Sequence, residues 1–310
     1  MEKRAVLGDI HPSGQILFTV GVGLFITLTT LLLGMVFALP FVDKSLFQLM
    51  EGLDMSDPSN LGFMKYLQIV SHLGMFIIPS FIIAWFLGRD VFAYLFLDRL
   101  VTLRLLLYSA LLVFFAVPFI NYILELNMQM HFPESLSGME EWMRRSEENA
   151  ERMTKAFLTV ETPRGLLFNL LMIAVIPAIG EELMFRGILM RIFIKWTRSK
   201  HLAVWITAII FSAIHIQFFG FFPRMILGVL FGYLVVFTGS MWPAIIAHFV
   251  NNAAAVIFFY LFHHKFTDGT FENLGKGNEG LLYAAVSLVL TLALMWWIRK
   301  TSMEANPRLA

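Results

Sequence analysis

Leu166-Leu-Phe-Asn-Leu-Leu-Met-Ile-Ala-Val-Ile-Pro-Ala-Ile-Gly-Glu-Glu-Leu-Met-Phe-Arg-Gly-Ile-Leu-Met190 is an apolar run interrupted by two adjacent carboxylates and an arginine. A charge near the centre of a bilayer costs about 2.5–3.5 kcal/mol on insertion scales, so such residues face a protein interior or a water-filled cavity. Residues four apart share a helix face. Glu182 and Arg186 can therefore pair along their own helix. Glu181 is turned by about 100° from Glu182 and is left for other partners. Gly180 and Gly187 flank the charges and let another backbone approach closely.

The same apolar character runs through the chain. It has 310 residues, 58% of them hydrophobic, with mean hydropathy +0.73. Soluble domains hold nearer 45–50% apolar residues. Stretches near 15–42, 63–88, 101–124, 164–194, 202–219, 222–238, 241–262 and 281–298 are long enough to span. These predict an all-α membrane protein of about eight transmembrane helices in one transmembrane domain over 1–310. The first run exceeds a signal-peptide core and reads as a retained span. No cysteine is present, which excludes disulfides and a thiol nucleophile. A net charge of +1 without a basic tract gives no sign of a nucleic-acid partner.

With the N-terminus inside, cytoplasmic segments carry twelve Lys/Arg against five Asp/Glu, and the opposite side ten against fifteen. Lys/Arg bias orients membrane proteins, so both termini are expected in the cytoplasm. The long third connection, 125–163, does not span. Met139, Trp142, Met143, Ala150, Met153 and Phe157 recur in it at helical steps. Glu141/Arg145, Glu148/Arg152 and Glu151/Lys155 form i,i+4 pairs. This predicts an amphipathic helix at the membrane surface.

Two further spans carry polar sets: Phe211-x-x-x-His215 and His248-x-x-x-Asn252. His248 and Asn252 share a face. His72 stands alone on the second span and reads as a hydrogen-bonded core residue. Carboxylate, imidazole and carboxamide together supply the parts of water-mediated amide hydrolysis: a base, a second water or metal ligand, and an anion-stabilising donor. Rival chemistries lack residues. There is no His-Glu-x-x-His and no Gly-x-Ser-x-Gly, and all seven aspartates fall in connections. A transporter with an ion site at the carboxylates and a catalytically silent scaffold or immunity factor are the alternatives from other classes.

Glu181-Glu182-x-x-x-Arg186, Phe211-x-x-x-His215 and His248-x-x-x-Asn252, in that order on membrane spans, resemble the CPBP family. It comprises intramembrane proteases that include CAAX prenyl endopeptidases and bacteriocin-processing or abortive-infection proteins. The resemblance covers about 164–262, which would be the catalytic core. It implies an intramembrane endopeptidase in which Glu181 activates water with His215 as a second ligand. Glu182 and Arg186 would hold the geometry, and His248 and Asn252 would stabilise the oxyanion. The family's naming as metalloproteases implies a divalent ion such as Zn²⁺ on Glu181, His215 and His248; a metal-free route with Glu181 as general base stays open. The implied substrate is a membrane peptide or protein, lipidated in the prenyl-processing branch. Compact connections and the absence of cysteine suit a bacterial cytoplasmic membrane.

Overall fold

A computed structural model describes residues 5–42, 45–51, 57–267, 274–277 and 279–305. Every element among them is helical. Seven helices are long and apolar enough to cross a membrane: α1 (Pro12–Phe41), α2 (Leu61–Leu87), α3 (Leu103–Met128), α5 (Pro163–Thr197), α7 (Phe221–Thr238), α8 (Trp242–His263) and α9 (Gly280–Ala305). The amphipathic helix expected in the long connection is α4 (Ser137–Leu158). The expected span at 202–219 is a shorter helix, α6 (Lys200–Ala213). Ser199 caps its start by accepting from Leu202 N, and the chain turns at 214–220 before α7. Lys3, Arg4 and Arg308, counted in the charge reading, lie outside the described residues.

Hydrogen bonds between connections sort the helix ends into two faces. On one, Leu7 N donates to Phe86 O, Met241 N to Phe96 O and Arg191 Nη2 to Ala93 O. On the other, Asn127 Nδ2 donates to Phe218 O, Ser146 Oγ to Ile216 O and Asn169 Nδ2 to Phe157 O. Large side chains on the outside of the bundle, such as Leu17 and Leu24 of α1, are exposed. That is the expected surface for lipid contact.

Three stretches widen into π-helical turns: Leu73–Ile77 in α2, and Leu170–Val175 and Leu183–Leu189 in α5. The first two are each followed closely by a proline, Pro79 and Pro177. Proline has no N–H and clashes with the carbonyl four residues back, so the ladder loosens where it stands. The carbonyls so released take partners from other helices. Thr27 Oγ1 donates to Gly74 O, and Asn252 Nδ2 donates to Ile173 O. A similar splice joins α3 and α9 beside Pro118, where Phe119 N donates to Ser287 Oγ and Ser287 Oγ donates to Phe115 O.

α4 packs across one mouth of the bundle. Met143 and Phe157 are buried, while Met139 and Trp142 are exposed. Arg145 and Lys155 pair with Glu141 and Glu151. Arg152 instead bonds Asn149, and Glu140 pairs with Arg144. The end of α4 is clamped by a relay: Lys65 Nζ donates to Asn169 Oδ1 at 3.0 Å, and Asn169 donates to Phe157 O at 2.8 Å.

Candidate active site

Glu181 and Glu182 end an α-helical turn of α5 just before its second π segment. As neighbours on a helix they diverge. Glu182 is fully buried. Its Oε1 accepts from Arg186 Nη1 and from His248 Nδ1, both at 2.8 Å. Arg186, also buried, donates through Nη2 to Gly228 O at 3.0 Å. The rings of Phe211, Phe231 and Phe185 surround its guanidinium at 4.9, 5.8 and 6.0 Å. The i,i+4 pairing read from the sequence is therefore present, inside an aromatic cage.

Glu181 turns the other way, toward a cavity of about 350 Å³. That volume holds on the order of ten waters at ~30 Å³ each. Gln68 and His72 of α2, Met153 and Phe157 of α4, His215 and Gln217 of the 214–220 turn, and Asn252 of α8 line the cavity with it. Its Oε1 lies 3.4 Å from His72 Nε2, and its Oε2 3.7 Å from His248 Nε2. His248 thus stands between the two carboxylates, with its ring stacked on Phe231 at 5.1 Å.

Tautomers follow from the hydrogen-bond partners. His248 Nδ1 faces the Glu182 carboxylate, His72 Nδ1 the carbonyl of Gln68, and His215 Nδ1 the carbonyl of Phe211 at 2.7 Å. For His248 and His215 the acceptor requires an N–H at Nδ1 and leaves Nε2 for the cavity. His72 Nδ1 also lies 3.2 Å from the Gln68 Nε2 donor, so His72 is equally satisfied with its hydrogen at Nε2, donating toward Glu181 Oε1. An imidazole whose far nitrogen is fixed by a carboxylate or carbonyl is also the arrangement seen around metal ligands. Yet among the described residues no group of three or more His, Cys, Asp or Glu is disposed to hold an ion.

The sequence-selected residues Glu181, Glu182, Arg186, His215, His248 and Asn252 thus gather at one place, with two differences from expectation. His248 and Asn252 are each held by a protein partner of their own. His248 spans the carboxylates, while Asn252 gives one amide hydrogen to Ile173 O at 3.1 Å and keeps its second. His72, read as a core residue, lines the cavity beside Glu181. Its signal was the Gln68/His72 pair, two polar residues four apart on one face of α2. Gly180 makes the contact possible. A Cβ there would meet Phe76 Cβ at 2.9 Å and Ile77 Cγ1 at 3.0 Å, so its absence lets α2 close on α5.

Comparison with known proteins bears on the same helices. No curated protein and no solved structure matches the chain. Residues 163–254 match a family model, Rce1-like, described as type II CAAX prenyl endopeptidase Rce1-like. The match spans α5 to most of α8, and so contains Glu181, Glu182, Arg186, His215, His248 and Asn252; His72 and α4 lie outside it. Residues 163–254, which carry both buried carboxylates, are thus similar to the Rce1-like family of type II CAAX prenyl endopeptidases, within an integral membrane protein.

Proposed function

We propose that the chain is an intramembrane endopeptidase that hydrolyses a peptide bond of a membrane-associated polypeptide. The observation that carries this reading is Glu181. It is a buried carboxylate facing a cavity of about 350 Å³, with imidazole nitrogens at 3.4 and 3.7 Å. Water in that cavity attacks the substrate carbonyl carbon as Glu181 takes a proton from it. The tetrahedral intermediate bears its negative charge on the former carbonyl oxygen. The second amide hydrogen of Asn252 is the donor this reading assigns to that oxygen. Glu181 then returns the proton to the departing nitrogen, the C–N bond breaks, and a carboxylic acid and an amine leave. Glu182, neutralised by Arg186, fixes the plane of His248 and so the place of Glu181. Glu182, Arg186 and His248 are buried, which strengthens the interactions among them.

The test is cleavage by purified protein of peptides and of membrane-anchored substrates, with and without a lipidated cysteine. Removing a positioned general base costs typically 10²–10⁴ in rate. Glu181→Gln should lose at least that factor and keep its thermal transition. Equal turnover in wild type and Glu181→Gln would refute the mechanism. A strict need for the lipid would place the substrate in the prenyl-processing class.

A further inference from the structure

We infer that the protein binds the headgroup phosphate of an anionic phospholipid in a basic pocket, at the end of the bundle away from the Glu181 cavity. The inference uses no part of the proteolytic reading.

The pocket, about 370 Å³, lies where the start of α1, the end of α2 and the last turns of α5 meet the 91–97 connection. Two cations line it, Arg191 and Lys195. Met190–Thr197 is regular α-helix, so residues four apart present both side chains on one face. Leu87, Phe96 and Ile194 supply an apolar wall. Among the described residues neither cation has a carboxylate within ion-pair distance. Asp98 acts on Arg191 from farther off, and Arg99 opposes it.

Both cations are set in place by the protein itself. Arg191 Nη2 donates to Ala93 O at 2.9 Å. Its guanidinium lies 3.8 Å from the centre of the Phe96 ring and 4.8 Å from that of Tyr94. Rings against the guanidinium leave its donors in the plane, the geometry that matches phosphate oxygens. Of its five hydrogens the chain takes one, and Nε is buried without a partner. Lys195 Nζ donates to Gly8 O at 2.8 Å and Ile10 O at 2.9 Å, which leaves its third hydrogen to spare. Gln15 Nε2 donates to Leu7 O and Gly8 O and so fixes the same segment. Phe96 has φ 58°, a left-handed conformation that is an outlier for a bulky residue. Strain of this kind clusters at ligand clamps; here it belongs to the residue whose ring seats Arg191.

The level of the pocket selects the anion. Pro12 begins α1, Leu87 closes α2 and Thr197 closes α5, so the pocket stands at helix ends. Trp85 and Trp196, within a turn of Leu87 and Lys195, are exposed, and such tryptophans mark the headgroup level. The anion carried there on an apolar stem is phospholipid phosphate, and basic pockets between transmembrane helices take such headgroups. Burial pushes the Tyr94 phenol up to about 12, against the pull of Arg191, so its hydroxyl stays a neutral donor in the same pocket.

The test titrates the purified full chain, in neutral detergent, with dioctanoyl phosphatidylglycerol, dioctanoyl phosphatidylcholine or inorganic phosphate. Binding is read from the unfolding midpoint and from lipid adducts in native mass spectrometry. The anionic lipid should act at a concentration about tenfold or more below the other two, the worth of one charge-assisted hydrogen bond. Lys195→Met should weaken it by a similar factor, and Lys200→Met, outside the pocket, should not. Arg191→Gln should weaken it further; because Arg191 also holds the 93–96 turn, Tyr94→Phe is the milder companion and should weaken it in a folded protein. Equal response to the two lipids, or equal weakening by Lys195→Met and Lys200→Met, overturns the site. Inorganic phosphate binding as tightly as the anionic lipid overturns the lipid as its ligand.

Discussion

Glu182→Gln is the most informative single change, because it preserves volume and removes one buried charge from a closed set. The wild-type carboxylate accepts from Arg186 and His248 at 2.8 Å each. The amide that replaces it accepts through one oxygen and carries no charge. Arg186 then remains buried at 1% exposure, with the Gly228 carbonyl and three aromatic faces as its company. Stranding one member of a buried ion pair costs about 3–5 kcal/mol. The aromatic cage surrounds Arg186 in both proteins and leaves that difference unchanged. The loss should therefore lie at about 3–5 kcal/mol, read as a lower unfolding midpoint in mixed detergent. The double variant Glu182→Gln/Arg186→Met removes both charges and should recover most of the loss, though not activity. Turnover should fall with Glu182→Gln because His248 loses the charged partner at Nδ1. A variant within about 1 kcal/mol of wild type, with the double variant no better, would refute the assignment of Glu182 as the counter-ion of Arg186.

Asn252→Ala should lower kcat by roughly 10²–10³ with little change in KM if the second amide hydrogen serves the oxyanion, whereas Asn251→Ala should be far milder; steady-state kinetics on both decide. The same change strands the Ile173 carbonyl that Pro177 leaves without an N–H, so a stability loss of about 1–3 kcal/mol should accompany it. Gly180→Ala should cost about 1–3 kcal/mol by overpacking and depress kcat, because the new methyl pushes Phe76 and its helix, with His72, away from Glu181. A fully active Gly180→Ala would show that His72 need not touch Glu181. On α4, the Phe132 N–H, followed by Arg144, holds the Glu140 carboxyl down at about 2. A depressed carboxylate stabilises above its unfolded value near 4.5 and loses that contribution as pH falls toward 2. Glu140→Gln should therefore flatten the acid limb of proteolytic protection at residues 131–144, and an unchanged limb would refute that link.

The features legible in the sequence are those set within one helix. Hydropathy over some twenty residues marks a span whatever packs beside it. Four-residue spacing alone put Glu182 and Arg186 on one face, and one residue's rotation turned Glu181 away. Even the short α6 was visible as an apolar run, though its last residues form a turn because its helical bonds stop at Ala213.

What joins helices was decided only by the tertiary structure. His72 and Glu181 are 109 residues apart, and no periodicity connects them. Their contact depends on Gly180 admitting α2, and on π turns that rotate the side chains beyond them relative to a regular helix. Asn252 found Ile173 because a proline elsewhere released that carbonyl. α4 read as an amphipathic helix at the membrane surface from its own pattern, yet it roofs the cavity because Lys65, Asn169 and Phe157 tie it there. Spacing along a chain determines which groups share a face; packing between faces determines which of them meet.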